Sequence, residues 1–371
     1  MPIILPANQP PRRFYHGGER IRAFRGMAEY TVNGDGPLHE PEDWVASTTS
    51  CSGGGKCCNG IHPLGQTRLP DSAGPRGRDG GRLLSDAVIA DPRYWLGDDH
   101  IHTHGIVANL LVKLLDAGQR LPVHAHPHDD WVRANMEGRE HYGKAEAWYI
   151  LTEGEVYLGL KEDASVDTLK GLTLSQDPSL LERLHRLEVK PGDAVYVPPG
   201  YLHAVGEGVL IVEVQEPADL SILLEWTGFN LDGLKDGHLG LGWDKALTAV
   251  DGKGRSHEEV QHLVVTKAMR AERERTAAGA RSSVFPEASE EYFRLEEIEL
   301  ADNNKKELEA GFSLVIVLEG AVKLSTTGED GQTLSLTKGN TVLLAYGEGA
   351  ATLEGSGHVL VARPPKSQPR Q

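Results

Sequence analysis

Two short phrases, GQRLPVHAHP at residues 118–127 and GDAVYVPPGYLH at residues 192–203, bound the stretch whose reading decides the fold. In the first, His124 and His126 stand two residues apart. Alternate side chains of an extended strand leave the same face, so both imidazoles point into one space. In the second, a strand ends in Pro-Pro-Gly and a third histidine, His203, follows. Between the phrases, GKAEAWYIL at residues 143–151 sets Glu146 at the start of another apolar strand. Three neutral imidazoles and one carboxylate suit zinc, manganese or iron(II). A single histidine in such a sheet is more often a structural or surface residue. The order and pairing of the phrases point to a metal centre.

The two phrases read G-x5-H-x-H and G-x5-P-x-G-x2-H, and this spacing is similar to the two signature motifs of the cupin superfamily of small β-barrels. Cupins usually place the carboxylate within a few residues of the second histidine. Here Glu146 follows His126 by twenty positions, across the insertion HDDWVRANMEGREHYGK at residues 128–144. That gap, with LVKLLDAG before it and GKAEAWYIL after it, resembles type I mannose-6-phosphate isomerases, zinc-dependent cupins that interconvert an aldose phosphate and a ketose phosphate. EDWVAS at residues 42–47, VEVQEPAD at residues 212–219 and a degenerate barrel at the end extend the resemblance over most of the chain.

The resemblance implies metal ligands at His124, His126, Glu146 and His203, with His124 standing where the family has a glutamine. It implies Zn2+ as cofactor, with Mn2+ or Fe2+ as alternatives. It further implies Lys144 and Glu213 as catalytic residues, and Lys113 and Trp44 at the substrate. Two positions depart from the family. Pro122 replaces a serine implicated in phosphate binding and offers neither a hydroxyl nor an N–H. Leu223 replaces an arginine, and no leucine imitates a guanidinium. The expected ligand is therefore a small sugar or sugar phosphate: either an unphosphorylated sugar, or a phosphate held by an arginine from elsewhere, with Arg82 and Arg133 nearest in sequence. The activity implied is metal-dependent aldose–ketose isomerisation. A metal-dependent cupin oxygenase and a non-catalytic sugar-binding module are the alternatives; the insertion before Glu146, Lys144 and Glu213 weigh against them.

At 371 residues the chain is long enough for two domains. Acidic residues outnumber basic ones by 54 to 38, for a formal charge of −16, which argues against a nucleic-acid-binding surface. No apolar run reaches the length of a membrane span, and the N-terminus lacks a charged-then-apolar leader pattern, so the expectation is a cytoplasmic monomer or homodimer without membrane contact. The three cysteines all fall in CSGGGKCCNG at residues 51–60. An odd number without CxxC spacing or a fourth ligand reads as an exposed, flexible loop rather than a metal or disulfide site.

The expected architecture is mainly β: two cupin barrels of the double-stranded β-helix (jelly-roll) type, with added helices. Residues 1–245 would form the metal-binding catalytic barrel, 246–289 a helical segment and linker, and 290–371 a degenerate barrel without metal ligands. Along the chain, FYHGGERIRAF at residues 14–24 reads as an edge strand and turn. Residues 85–96 read as a helix capped by Ser85. DDHIHTHG at residues 98–105 reads as a polar loop, although its three histidines at strand spacing invite a second metal site. Lys113 interrupts the apolar run ANLLVKLLD, which suggests a cation facing a cavity. Residues 166–172 and 178–187 read as short helices, and 256–280 as an amphipathic helix with a charged tail.

Overall fold

The computed structural model describes the chain apart from residues 11–12, 28–36, 52–63, 72–78, 137, 139, 277–282, 329–330 and 368–371. The cysteine-rich loop beyond Cys51 and part of the expected linker lie outside the described residues. The strands, in chain order, are β1 (Ile3–Leu5), β2 (Glu42–Val45), β3 (Leu111–Asp116), β4 (His124–Ala125), β5 (Glu146–Ile150), β6 (Gly154–Leu160), β7 (Leu184–Val189), β8 (Ala194–Val197), β9 (His203–Val205), β10 (Leu210–Gln215), β11 (Ile222–Leu223), β12 (Val264–Val265), β13 (Arg294–Leu308), β14 (Ser313–Thr326), β15 (Thr333–Thr337), β16 (Thr341–Leu344) and β17 (Ala351–Arg363). They form three antiparallel sheets, so the protein is mainly β.

The first sheet runs β12-β8-β5-β10-β3-β2 and the second β11-β4-β9-β6-β7. Strand alternation sorts the side chains of the first sheet. One set, with Val112 and Leu114 of β3, Ala147 and Tyr149 of β5, and Val212 and Val214 of β10, packs into a core shared with the third sheet. The alternate set, with Leu115, Trp148 and Ile211, joins Val156, Leu158, Leu187 and Val205 of the second sheet in the barrel interior. Lys113, Glu146 and Glu213 belong by register to that inward set, and this places charge inside the barrel. Their strands are buried on both faces, which explains why β3 reads as a nearly continuous apolar run.

The third sheet runs β1-β16-β14-β17-β13, with β15 paired to β14. Its strands β13, β14 and β17 are 15, 14 and 13 residues long. Leu314, Ile316 and Leu360 face the first barrel, whereas Val315, Val317 and Val361 line the sheet's own separate core. β1, from the start of the chain, closes one edge by pairing with β16.

Several local expectations are corrected. ERIRAF is a helix (Glu19–Phe24), not a strand, because Ile21 and Phe24 bury one helical face, and the buried Asp116 carboxylate accepts from the backbone N–H of Gly18 and Arg20 at 2.8 and 2.9 Å. Residues 85–96 form two helices, Leu84–Ala90 and Pro92–Leu96. Asp91 caps the second one, while the Ser85 hydroxyl donates instead to Gln66. DDHIHTH is helical (Asp98–His104), and the helix turns its histidines away from strand spacing. Within 256–280, β12 pairs with β8 and separates the helices His257–Gln261 and Lys267–Thr276. Of the segment read as a second helix from 178, only Ser179–Glu182 is helical; the rest is β7, paired with β6.

Glu297 of β13 ties the third sheet to the first. It accepts from the Tyr149 hydroxyl at 2.5 Å and His358 Nε2 at 2.7 Å, and it pairs with Arg270 at 2.8 Å. Burial alone would raise its pKa, but His358, Tyr149 and Arg270 together pull it down to about 2. A carboxylate depressed in the fold stabilises above its unfolded pKa and loses that contribution as pH falls through the folded value. Thermal melts should therefore show stability falling as pH drops from 4.5 towards 2. Glu297→Gln should be less stable at neutral pH and show a shallower decline over this window.

Candidate metal centre

β4, the residue just after it, β5 and β9 deliver the ligand-type side chains: His124, His126, Glu146 and His203. His124 and His203 are directly paired across β4 and β9, and the rings of His124, His126 and His203 lie with centroids 4.0 to 4.9 Å apart. Each Nδ1 meets a backbone carbonyl: His124 that of Pro122 at 2.8 Å, His126 that of Leu220 at 2.6 Å, and His203 that of Tyr201 at 2.8 Å. A carbonyl only accepts, so Nδ1 carries the proton and Nε2 keeps its lone pair. Such an outer hydrogen bond orients an imidazole for a metal. The three histidines offer nitrogens all within 4.8 Å of one another, and all three are buried. Glu146 closes on them, with its carboxylate oxygens 3.1 Å from His126 Nε2 and 3.2 Å from His203 Nε2. The buried His203 Nε2 has no hydrogen-bond partner. Leaving such a group unpaired is costly, and a bound cation would satisfy it. The residues present fit a divalent ion.

The surrounding charges suit that fit. Burial and the neighbouring rings of His203 and His126 hold the His124 pKa well below its ordinary value. Burial and Lys144 push His126 down to about 3, so both imidazoles are neutral. Lys144 Nζ lies 3.0 Å from His126 Nε2, 2.8 Å from Glu146 and 3.3 Å from Glu213. Burial opposes ionisation of Glu146, but Lys144 and His126 hold it well below the carboxylate range. Burial dominates at Glu213 and raises it to about 7 despite Lys113 and Lys144. Two carboxylates in one cavity are thus pushed apart in character.

The inner cavity, of about 40 Å³, is lined by His124, Glu146, Lys144, Glu213 and Lys113, and also by Pro122 and Leu223, the two positions singled out in the sequence. Trp44 is not in that lining. It is fully buried beside the cavity, where its ring lies 4.6 Å from Lys113 Nζ and its indole N–H donates to Glu42 at 2.7 Å. Trp44, expected at the substrate, thus stands behind Lys113 and Glu42 of the cavity lining. Arg82 and Arg133 are also outside it, paired with Asp79 and with Asp129 and Asp130. Sequence reasoning missed Arg13, Tyr15, Glu42, Asp219 and Ser221, which do line the cavity. One signal was available for Glu42, which stands two residues before Trp44 and so shares its face of β2. Arg13 sits in an irregular entry segment with no periodicity to reveal it.

His100 is held by the Val107 carbonyl and takes no part in a metal-type cluster among the described residues. The C-terminal unit, read from sequence as lacking ligands, does bring Glu297, Glu299 and His358 within metal-ligating distance. Arg270 and Lys267 already neutralise those carboxylates.

The sequence profile described as "Mannose-6-phosphate isomerase, cupin domain" matches residues 282–364. Mannose-6-phosphate isomerase ManA of Bacillus subtilis is 28% identical over 282 residues, 72% of this chain and 80% of that protein. The chain thus resembles mannose-6-phosphate isomerases over most of its length. The mannose-6-phosphate isomerase of Streptococcus mutans is 33% identical over 136 residues, 36% of this chain and 40% of that one. The fold is shared as well: the crystal structure of the B. subtilis mannose 6-phosphate isomerase superposes with a TM-score of 0.67 at 24% identity, covering 97% of this chain and 99% of that one. Replacing His203 or His126 by Ala should lower divalent-metal affinity at least about tenfold, the scale on which even outer-shell changes act. Elemental analysis after dialysis against chelator checks this. Parent-like retention of metal in both variants would place the ion elsewhere.

Proposed function

We propose that the protein is a metal-dependent aldose–ketose isomerase acting on mannose 6-phosphate or a close relative, with zinc as its ion. The observation that carries this reading is the cluster of three Nδ1-anchored histidines with Glu146 and Lys144, set against a cavity that His124, Glu146, Lys144 and Glu213 line. His124, His126, Glu146 and His203 would hold the ion. When bound, it supplies Lewis-acid polarisation of a substrate oxygen.

The chain's own groups divide the remaining work. Aldose–ketose isomerisation moves one proton between adjacent carbons and one between their oxygens. Lys144, pinned as an ammonium among Glu146, Glu213 and His126, has no lone pair to offer. Glu213 is therefore the group that takes the carbon-bound proton and returns it to the neighbouring carbon. Lys144 donates to the substrate oxygen that gains negative charge. Lys113, opposite Glu213 in the β3–β10 register, orients the substrate's polar end. Residues 1–245 would carry this chemistry, 246–289 would link, and 290–371 would serve as a packing partner.

Conversion of isotopically labelled aldoses by the zinc-loaded protein, followed by NMR, tests the reading. Lys144→Met and Glu213→Gln should keep their metal while turnover drops by about a hundredfold, the usual scale of acid–base catalysis. Parent-like turnover in both variants would move the chemistry to other residues. Consumption of dioxygen without aldose conversion would favour the oxygenase alternative.

A further inference from the structure

The inner cavity of about 40 Å³ has room for a few waters at most, so most of a sugar must lie outside it. A second cavity of about 340 Å³ adjoins it and shares Arg13, Phe14, Asp219, Ser221 and Leu223 with its wall. Arg13 is the cation among the residues shared by the two cavities. Its Nε donates to Glu42 at 2.9 Å and its Nη1 to the Cys51 sulfur at 2.7 Å. Its Nη2 has Asp219 as the paired carboxylate, at 3.8 Å, beyond hydrogen-bond distance. The guanidinium is therefore clamped on two sides and keeps one N–H edge for a ligand. Glu42 also accepts from the Tyr15 hydroxyl at 2.8 Å, holds Lys113 at 3.5 Å, and takes the Trp44 indole N–H. One buried carboxylate thus sets two cations side by side.

We propose that Arg13 is a substrate-contacting residue that takes a phosphate monoester at the substrate's far end, and that Glu42 is the positioning residue that presents Arg13 and Lys113 together. This assignment rests on the isomerase reading. It supplies, from the N-terminal segment, the guanidinium missing at Leu223. An arginine edge beside a lysine point charge gives a phosphate both direction and charge, which Lys113 alone does not.

The test is calorimetric binding of two unreactive probes, sorbitol 6-phosphate and sorbitol, to the zinc-loaded protein. The parent should prefer the phosphorylated probe by at least about tenfold, or 1.4 kcal/mol. That preference should collapse in Arg13→Met and be partly kept in Arg13→Lys. Removing Arg13 leaves Glu42 short of a partner and threatens folding, so Arg13→Met with Glu42→Gln, which removes the pair together, is measured alongside. Glu42→Gln alone, with Arg13 intact but loosened, should also narrow the preference, and Arg13→Met should cost less in that background than in the parent. A merely structural role would weaken both probes equally. Absence of the preference in the parent, or its survival in a folded Arg13→Met or double variant, overturns the proposal. Labelled-aldose turnover is read separately: a protein that shows the Arg13-dependent preference but converts no aldose sinks the isomerase reading and leaves Arg13 as an oxyanion-binding residue.

Discussion

Buried charge is tolerated only when it is paired, and the inner wall of this barrel depends on that constraint. Glu42 lies between Arg13 and Lys113, and Lys144 lies between Glu146 and Glu213. Removing any one of these groups would strand another in low dielectric. The cost is offset by the packing around it: Trp44, Trp148, Leu115 and Val205 exclude water and make each remaining interaction stronger. The histidines obey the same rule by another route. Three carbonyls that would otherwise need partners fix the three rings, so the loop and strand backbone, not side-chain contacts, aims the Nε2 atoms.

The arrangement couples site and scaffold through a few strands. β5 contributes Glu146 and Trp148 inward and Tyr149 outward to Glu297 of the third sheet. β10 contributes Glu213 inward, flanked by Val212 and Val214 in the core beneath that sheet. The third sheet therefore packs against the strands that hold Glu146 and Glu213, which gives it a physical role beside the cavity.

Much of this was legible in the chain because it was local or periodic. The spacing of His124 and His126, the Pro-Pro-Gly turn before His203 and the charge at Lys113 within an apolar run each predict what the structure shows: side chains converging inside a β-barrel. The third sheet was legible for the same reason, since its strands alternate with period two. What was not legible lacked a period or depended on distant partners. ERIRAF is helical because Asp116, far along the chain, accepts from its first N–H groups. Arg13 enters the cavity wall only because Glu42 and Cys51 hold it there. Trp44 packs its ring against the Lys113 ammonium and donates to Glu42, two contacts made across strands that no local pattern announces.

The central claim is a single ion held by three imidazoles and a carboxylate within this wall. X-ray absorption at the metal edge of the purified protein tests it most directly. The account predicts a first shell of nitrogen and oxygen near about 2.0–2.2 Å, with outer-shell scattering from three histidines and no sulfur. Scattering from one histidine or none, or a sulfur shell near about 2.3 Å, would contradict it.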